Sequence, residues 1–252
     1  MKNKISIIIE ARSTSKRLSE KILLKVKKKT LLEHLINRLK KVKKINNIII
    51  ATTINYQDDK IVALAKKNKV NYYRGSELNV LDRVIKAAKK FNTNIIVRVT
   101  SDCPIIDIHL VDQCLEIFLN NSNDIVTNAF LRSYPDGMDV EILKLSTLQK
   151  SYKYAHNPFL REHITLAIKN NPKVFKHLNV IAPSNLFYPH IGLTLDEYPD
   201  YVLIKKIITY FFKKKKYLFT CHDILDLLKK KKGYLSINKS IKRTTYDFKK
   251  KN

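Results

Sequence analysis

Glycine is scarce in this sequence, with only 4 glycines and 7 prolines among 252 residues. That composition excludes a collagen-like chain and argues against a disordered linker or a loop-rich scaffold. Apolar runs are also short, and none approaches the roughly 20 residues that a helix needs to span a bilayer. Charge interrupts the apolar stretch of the opening MKNKISIIIEAR too early for a secretory signal. We therefore expect no membrane span and a globular chain, long enough for one large α/β domain or two small ones.

Cysteine is rare as well, and its placement bears on the cellular compartment. Cys103, Cys114 and Cys221 are odd in number and widely separated along the chain. A disulfide framework instead needs paired cysteines in an oxidising compartment. The pattern indicates reduced thiols and predicts a cytoplasmic location.

Acidic residues are too few to balance the basic ones, because 22 Asp and Glu stand against 49 Lys and Arg, a formal net charge of +27. Such a charge is typical of proteins that bind nucleic acid. It is concentrated at the two ends, with a net +12 over residues 1–44 and +13 over 205–252, against +2 between them. Only nine basic residues are arginine, the better fork for phosphates and base edges. We interpret the lysines as solvated faces and do not expect a nucleic-acid partner.

Apolar residues follow two alternating periods in the first 128 residues. Short, β-branched and almost continuous runs predict strands buried on both faces. These runs are Lys4–Ile9, Asn47–Thr53, Val70–Arg74, Asn94–Thr100 and Asp124–Asn128. Segments with helical spacing separate them, at Thr30–Val42 (opening with a Thr30–Glu33 capping box), Asp58–Asn68, Val80–Phe91 and Ile108–Leu119. The alternation predicts an α/β fold whose mostly parallel sheet is covered by helices on both faces.

The second half of the chain is less regular. A turn marked by Pro and Gly leads into a predicted strand over Tyr134–Leu143, and Phe175–Ala182 is predicted to be extended. Helical spacing is found at Ser146–Tyr154, Asn157–Asn170, Pro199–Phe212 and His222–Lys232. Neither a repeat nor a linker divides the chain. Residues 1–240 are therefore predicted to form one domain, followed by a basic, flexible tail at 241–252.

A basic loop, residues 11–21, follows the first predicted strand. In parallel sheets, ligands bind beyond the carboxyl ends of the strands. At this loop a polyphosphate would be bound by Arg12 and Arg17 as bidentate donors and by Lys21 as a point charge. Ser15 or backbone amides would add neutral donors. The loop is not a P-loop, because the glycines and the Gly-Lys-Ser/Thr ending are missing. A solvated turn would explain such a loop equally well.

Two carboxylates stand where apolar segments end, Asp102 in RVTSDCP and Asp196 in LTLDEYPD. If both segments are strands of the sheet, the two carboxylates share its edge. Carboxylate oxygens are the ligands that Mg²⁺ prefers when it also bridges phosphates. The alternatives are local: Asp102 would cap the helix near Ile108 or bond its own turn, and Asp196 would cap the helix that Pro199 opens.

Six short motifs occur in order along nearly the whole chain. They are the Ala-Arg-x-x-Ser-x-Arg-Leu-x-x-Lys signature at Ala11–Lys21, then Val80–Arg83, Arg98–Pro104, Tyr134–Glu141, Arg161–His163 and Leu193–Asp196. Together they resemble the cytidylyltransferases that activate acidic sugars, most closely the spore-coat polysaccharide biosynthesis type. CMP-3-deoxy-manno-octulosonate and CMP-acylneuraminate synthetases are more distant relatives by the same motifs. The resemblance implies a single nucleotide-diphospho-sugar transferase-like (Rossmann-like) domain.

The resemblance also implies a reaction, in which a sugar oxygen attacks the α-phosphate of CTP and pyrophosphate leaves. The residues it implies to be catalytic are Arg12, Lys21, Asp102 and Asp196, of which Asp102 and Asp196 would bind Mg²⁺. The residues it implies to contact the nucleotide are Ala11, Arg12, Ser15, Arg17, Lys21, Asp82 and Ser101. The residues it implies to lie toward the sugar are Asp139, Glu141, Arg161 and His163. A homodimer is the assembly that we expect.

The chain departs from the family pattern at Thr14, Ser19, Glu20, Ser101 and Gly192. Thr14, Glu20 and Ser101 replace glycines, which allow positive φ and a close approach to phosphate. Gly192 stands where the family commonly has arginine. Two local alternatives are a dimer edge at Asp139–Glu141 and a structural role for His163. Two functional alternatives are a metal-dependent glycosyltransferase of the same fold and a noncatalytic protein that binds nucleotide or nucleic acid.

Overall fold

The computed structural model describes residues 4–15 and 17–243. Its strands are β1 (Ile5–Glu10), β2 (Lys25–Val26), β3 (Lys29–Thr30), β4 (Asn47–Thr53), β5 (Asn71–Gly75), β6 (Ile95–Thr100), β7 (Ile125–Thr127), β8 (Glu141–Lys144) and β9 (His177–Asn179). Its helices are α1 (Leu31–Leu39), α2 (Asp59–Lys67), α3 (Val80–Lys90), α4 (Ile108–Leu119), α5 (Leu145–Ser151), α6 (Pro158–Glu162), α7 (Leu166–Lys169), α8 (Tyr198–Lys213) and α9 (Cys221–Lys230). Strands and helices alternate through the first half, as the apolar pattern predicts.

A seven-stranded sheet in the order β5-β4-β1-β6-β8-β7-β9 forms the centre, and β2 and β3 form a separate antiparallel pair. β1 runs parallel to β4 and β6, β4 to β5, and β7 to β9. β8 is antiparallel to both β6 and β7. The mostly parallel sheet that the sequence predicts is confirmed, and the antiparallel β8 makes it mixed. Because β8 has a partner on each side, Glu141 does not lie at an open strand edge. Asp139 lies outside β8, so the dimer edge remains an alternative for that residue.

Side chains of β1 alternate between two hydrophobic clusters. Ile7 and Ile9 join the cluster that includes α1, α4, α8 and α9, whereas Ile8 joins the cluster that includes α3, α5 and α7. Successive strand residues point to opposite faces of a sheet. A strand covered by helices on both faces must therefore be apolar throughout, which is why the continuous isoleucine run predicts its position. The predicted helical layers on both faces are confirmed.

The first helix begins at the predicted capping box. Thr30 Oγ1 accepts a hydrogen bond from the Glu33 backbone N–H at 3.1 Å, and the Thr30 backbone N–H donates to Glu33 Oε2 at 2.7 Å. Burial raises the pKa of Glu33, but these hydrogen bonds and Lys67 outweigh it, so the pKa lies below its ordinary value. The capping box therefore defines where α1 begins, directly after β3.

The second half differs from its predicted elements in two places. The buried segment Leu193–Leu195 is not a strand. An isolated bridge between Asp136 and Gly192, and a bond from the Leu195 N–H to the Asp102 carbonyl, tie it to the sheet region. The predicted helix Asn157–Asn170 is divided into α6 and α7, because His163 adopts φ −98° and ψ 73°, outside the helical region. Asn157 caps α6 by accepting from the Leu160 N–H at 2.9 Å. The break at His163 has no glycine or proline signal in the sequence, whereas Gly192 directly precedes Leu193–Leu195.

No helix among the described residues is long and apolar enough to cross a bilayer. All three cysteines are buried and free. Burial raises the pKa of the Cys114 and Cys221 thiols to about 12, so both are protonated near neutral pH. Most of the predicted flexible tail, residues 241–252, lies outside the described residues. The boundary at residue 240 stays a prediction.

Candidate active site

Three segments meet beyond the carboxyl ends of the central strands. β1 and β6 are neighbours, with Glu10 opposite Thr100, so the basic loop and the turn after β6 leave the sheet at the same edge. The backbone N–H of Leu195 donates to the Asp102 carbonyl at 2.8 Å, which attaches the Asp196 segment (residues 192–196) to this edge. The structure therefore brings together the three segments in which the sequence predicts phosphate and metal ligands.

The centre of this edge is a cluster of opposite charges. Lys21 Nζ lies 2.9 Å from Asp196 Oδ1 and 3.6 Å from Asp102 Oδ2. Arg17 Nη2 donates to the same Asp196 oxygen at 2.8 Å. The Lys21 and Asp196 side chains are 12% and 17% exposed, so water screens their attraction only in part. Asp196 is thus hydrogen-bonded to both cations, and Asp102 forms a longer ion pair with Lys21.

Neither carboxylate caps a helix, so the two helix-cap alternatives are wrong. Asp102 does bond its own turn, because Cys103 Sγ donates to Asp102 Oδ1 at 3.7 Å. The cap of α4 is Asp107, whose Oδ1 accepts from the His109 N–H at 2.9 Å. The cap of α8 is Glu197, in a capping box with Asp200. Asp102 and Asp196 are therefore not engaged as helix caps, and their pairing is with Lys21 and Arg17 instead.

The donor set fits a metal that is shared with a polyphosphate. Mg²⁺ usually binds one or two protein carboxylates together with phosphate oxygens and water. Asp102 and Asp196 supply two carboxylates beside Lys21, a cation suited to the phosphates. Within residues 4–15 and 17–243, no group of three or more His, Cys, Asp or Glu could hold a metal ion. The protein thus offers part of a coordination shell rather than a complete cage.

The beginning of the basic loop is held by a buried carboxylate. Asp58 Oδ1 accepts from the backbone N–H of Ser13 at 2.7 Å and from its hydroxyl at 2.6 Å, and Thr53 donates to Asp58 Oδ2. Burial raises the pKa of Asp58, but the hydrogen bonds from Ser13 and Thr53 outweigh it and leave the pKa below its ordinary value. The start of the loop is therefore fixed to the end of β4 and is not a freely solvated turn.

Arg12 contacts carboxylates from two distant parts of the chain. Its Nη2 lies 3.0 Å from Glu162 Oε1, and its Nη1 lies 3.8 Å from Glu77 Oε1. Glu77 also accepts from Asn55 Nδ2 at 2.6 Å and from the Thr14 hydroxyl, and these hydrogen bonds, that of Thr14 above all, lower the pKa of its carboxyl. Sequence reasoning missed Glu77, although its place shortly after β5 is a signal, since that loop leaves the sheet at the same edge.

The departures from the family pattern have local structural partners. Thr14 replaces a glycine and bonds Glu77. Glu20 adopts a φ of 51°, in the left-handed region that its replaced glycine would favour, and its carboxylate pairs with Lys60 Nζ at 2.6 Å. The Glu20 charge is therefore neutralised by α2. Ser101 is buried, and its backbone N–H donates to the Glu10 carbonyl at 3.1 Å.

The other residues predicted to contact the nucleotide lie in the basic loop and in α3. Ala11 is buried at the start of the basic loop, and its N–H donates to the Ala51 carbonyl at 3.2 Å. The Ser15 backbone N–H donates to the Ser13 carbonyl at 2.9 Å. Asp82 lies instead in the first turn of α3, where it pairs with Lys86 Nζ at 2.8 Å. Its contact with the nucleotide stays a prediction.

Glu141 belongs to a buried group of three charges. Arg98 Nε lies 2.5 Å from Glu10 Oε1, and another nitrogen of its guanidinium pairs with Glu141. Thr165 Oγ1 donates to the other Glu141 oxygen at 2.8 Å. Burial alone would lower the pKa of Arg98, but the two carboxylates raise it well above its ordinary value. Both Glu141 oxygens are thus bonded within the protein, and a contact between Glu141 and a sugar stays a prediction.

The other three residues predicted to face the sugar have separate surroundings. Asp139 Oδ2 accepts from Arg132 Nη2 at 3.2 Å. Burial raises the pKa of Asp139 to about 7, against the opposing effect of Arg132. Arg161 donates to the Ala155 carbonyl at 3.1 Å. Burial lowers the pKa of His163, whose ring packs edge-on against Phe159.

Asp139→Asn is expected to become more stable than the unchanged protein as pH rises, because the unchanged protein loses stability and the variant does not. The folded-state pKa of about 7 exceeds the value of ~4 for an unfolded aspartate, so stability present below pH ~4 is lost as pH rises toward 7. Asparagine does not ionise and escapes that loss. Urea unfolding of both proteins between pH ~4.5 and ~8 measures the difference. A difference that stays constant over this range, or that matches Asp226→Asn on the surface of α9, would contradict the assignment.

A basic loop and a carboxylate pair at the carboxyl edge of a mostly parallel sheet define an α/β nucleotide-binding protein. The family model for cytidylyltransferase matches residues 6–241. The chain belongs to the cytidylyltransferase family and is an enzyme of that class. The family resemblance that the sequence motifs indicate is therefore confirmed.

Individual relatives agree with this assignment. An uncharacterized protein of Methanocaldococcus jannaschii is 37% identical over 243 residues, 96% of this chain and 98% of its own. The spore coat polysaccharide biosynthesis protein SpsF of Bacillus subtilis is 31% identical over 210 residues, 81% and 86% of the two chains. A cytidylyltransferase structure from Leptospira borgpetersenii has a TM-score of 0.89 at 35% identity, covering 96% of this chain and all of that one. CMP:2-keto-3-deoxy-manno-octonic acid synthetase shares the fold, with a TM-score of 0.61 at 14% identity over 82% of this chain and 99% of that one.

Proposed function

We propose that this cytidylyltransferase activates an acidic sugar with CTP and releases pyrophosphate, in the synthesis of a surface polysaccharide or another glycan. The observation that supports it is the position of Lys21 between Asp102 and Asp196. A polyphosphate and its metal would separate these charges, with the phosphates taking the cations and the metal taking the carboxylates. The name of SpsF supports a polysaccharide product, and the octonic acid synthetase supports an acidic sugar.

The proposed reaction forms one P–O bond and breaks another, and the attacking sugar hydroxyl releases its proton to solvent water. A sugar oxygen attacks the α-phosphorus of CTP, and the bond from that phosphorus to the β-bridging oxygen breaks, so pyrophosphate leaves with the electron pair. Arg17 and Lys21 would bind the phosphates and offset the charge that develops on the leaving group. Mg²⁺ held by Asp102 and Asp196 would withdraw charge from the phosphates and orient them.

The other predicted residues extend this arrangement on both sides of the charged cluster. We propose that Arg12, with Ala11, Ser15 and Ser101, contacts the nucleotide at the start of the basic loop. To do so Arg12 would exchange its partners Glu77 and Glu162 for phosphate. Arginine can make this exchange because it pairs in a bidentate manner with phosphate as well as with carboxylate. The predicted sugar contacts, Asp139, Glu141, Arg161 and His163, would lie beyond.

A substrate screen tests this function most directly. Purified protein with Mg²⁺ is incubated with each of the four nucleoside triphosphates and a panel of acidic and neutral sugars, and pyrophosphate release is measured. Release that needs both CTP and an acidic sugar supports the proposal. A parallel incubation with nucleotide-sugars tests the glycosyltransferase alternative, because their consumption without pyrophosphate release would contradict the proposal.

A homodimer is also part of the proposal, and the free edge of the sheet supports it. β9 is the last strand of the sheet and pairs only with β7 among the described strands. Leu131 and Ile181 are 65% and 52% exposed, and the Leu131 N–H is bonded to Asn179 in β9. Exposed apolar groups at an open strand edge are a common surface for self-association. Light scattering after size-exclusion chromatography measures the oligomeric state.

Replacing Lys213, Lys214 and Lys215 by glutamine is expected to leave the affinity for Mg²⁺–CTP within about twofold at ~0.15 M salt, because exposed charges more than ~8 Å apart are largely screened. All three are exposed at the end of α8. Lys216 is left in place, since it pairs with Asp223 in the cap of α9 at 2.7 Å. Calorimetric titration measures the affinity. A large loss of CTP affinity, or RNA binding with a steep salt dependence that the variant loses, would contradict the solvated-face interpretation.

A further inference from the structure

The described C-terminal residues bond the Asp196 segment at two points. Arg243 Nη1 donates to Thr194 Oγ1 at 2.7 Å, and Asn238 Nδ2 donates to the Gly192 carbonyl at 2.9 Å. Both residues are largely buried, since Asn238 is 8% exposed and the Arg243 side chain 18%. Two residues 46 and 49 positions away in sequence are thus packed onto the segment that carries a proposed metal ligand.

The same two residues converge on a buried carboxylate. Asp200 is 0% exposed, and its Oδ1 accepts from Arg243 Nη2 at 2.6 Å and from Asn238 Nδ2 at 2.8 Å. Its Oδ2 accepts from the backbone N–H groups of Asp196 and Glu197, each at 3.0 Å. Asp200 therefore connects Arg243 directly to the backbone of Asp196. Buried carboxylates are costly unless charged and hydrogen-bonding partners satisfy them, and here both oxygens are satisfied.

Gly192 provides the space that this arrangement needs. A Cβ atom placed there would lie 2.0 Å from Nη2 and 2.2 Å from Cζ of Arg243. Its three nearest neighbours all belong to the Arg243 guanidinium. Any side chain at position 192 would therefore displace the guanidinium. The absence of a side chain at 192 and the presence of arginine at 243 form one structural unit.

We propose that Arg243 and Asn238 are positioning residues, which act through Asp200 to hold the Asp196 carboxylate opposite Asp102 and Lys21. The inference rests on the proposed function, in which Asp196 binds the metal of Mg²⁺–CTP. Without Arg243, Asp200 keeps its backbone donors but loses its charged partner, and the Asp196 segment loses the bond at Thr194. A displacement of about 1 Å at a reacting centre lowers rates on the order of a hundredfold.

Arg243→Ala is expected to lower kcat for pyrophosphate release by roughly 10- to 100-fold and to raise the Mg²⁺ concentration at half-maximal rate, with the KM for CTP changed by less than about threefold. Arg243→Lys keeps a cation that can reach one of the two acceptors and should recover part of kcat. Lys242→Ala, at the exposed neighbouring position, is the matched control. A second readout without turnover is the Mg²⁺ dependence of the thermal stabilisation that CTP produces.

Gly192→Ala gives an independent route to the same change. It should displace the guanidinium and reproduce the effect of Arg243→Ala on kcat and on Mg²⁺ dependence. In the double variant the methyl group meets no guanidinium, so the double variant should match Arg243→Ala within about twofold rather than multiply the two losses. Multiplied losses would show that the two positions act separately, which would overturn the proposal.

Circular dichroism and thermal melting separate positioning from folding. If Arg243→Ala only lowers the folded fraction, and kcat per folded molecule and Mg²⁺ dependence stay unchanged, the inference is wrong. The proposed function fails if the unchanged protein binds Mg²⁺–CTP but releases pyrophosphate with none of the sugars tested. The Mg²⁺ dependence of the stabilisation by CTP still tests the inference in that case. A variant that binds Mg²⁺–CTP with unchanged metal dependence overturns it in that case too.

Discussion

Asp102→Asn and Asp196→Asn are each expected to lower metal-dependent pyrophosphate release about a thousandfold, equivalent to ~4 kcal/mol of transition-state stabilisation. A sugar hydroxyl is a weak nucleophile, and several negative charges repel it from a triphosphate. A metal ion that both carboxylates hold would contribute several kcal/mol against that repulsion. Asparagine keeps the shape of the side chain but removes the charge that attracts the metal.

The fold of both variants should persist, because neither carboxylate is deeply buried or caps a helix. The Asp102 and Asp196 side chains are 31% and 17% exposed. The bond that attaches the Asp196 segment to the sheet edge uses the Asp102 backbone carbonyl, which asparagine retains. In Asp196→Asn, Arg17 loses a counter-charge but remains exposed to solvent, and Lys21 keeps Asp102 as a partner.

The measurement is pyrophosphate release from CTP and an accepted acidic sugar at several Mg²⁺ concentrations. Circular dichroism confirms that the variants are folded, and Asp226→Asn on α9 controls for the loss of one acidic charge. Rates close to that of the unchanged protein in both variants would contradict the assignment of Asp102 and Asp196 as metal ligands, and with it the proposed mechanism. A large loss in Asp196→Asn alone would instead assign the metal chiefly to Asp196.

The layers and the location of the site are predictable because they follow from local patterns. Continuous isoleucine runs such as Ile7–Ile9 require a sheet covered on both faces, and parallel strands put their following loops at one edge. The basic loop and Asp102 are placed correctly by this rule alone. Their charges then identify the chemistry, since cations suit phosphates and carboxylates suit a hard metal ion.

The contacts that hold the site are not predictable in the same way, because they join residues far apart in sequence. Arg12 and Glu162 are 150 positions apart, and Arg243 and Asp200 are 43 apart. Leu193–Leu195 has the pattern of a strand, but it is held by single bonds to Asp136 and Asp102 rather than by a neighbouring strand. A burial pattern shows that a segment is covered and does not show which partner covers it.

Glu141 illustrates the same limit for a charged residue. Its motif suggests a ligand, whereas its surroundings show a structural ion pair: its side chain is 7% exposed and that of Arg98 15%. Arg98 is the common partner of Glu10 and Glu141, both near the carboxyl edge of the sheet. Removing one partner of a buried ion pair leaves an uncompensated charge, and here two charges would remain.

Arg98→Met is accordingly expected to lower the free energy of unfolding by about 3–5 kcal/mol, because it leaves Glu10 and Glu141 buried without a cation. Replacing both glutamates by glutamine in the same protein should recover most of this loss, since the neutral amides need no counter-charge. Urea unfolding measures both changes. Lys44→Met, which breaks a pair with Glu116 whose side chains are 52% and 48% exposed, is the control and should cost less than about 1 kcal/mol.

The triple variant also separates the structural role of Glu141 from a contact with substrate. If Glu141 only balances Arg98, the triple variant regains stability, and its KM for the sugar stays near that of the unchanged protein. If Glu141 also binds the sugar, stability returns but that KM rises, because an amide accepts a sugar hydroxyl less strongly than a carboxylate does. A loss below about 1 kcal/mol for Arg98→Met, equal to the Lys44→Met control, would show that the three charges are hydrated and that their burial does not control stability.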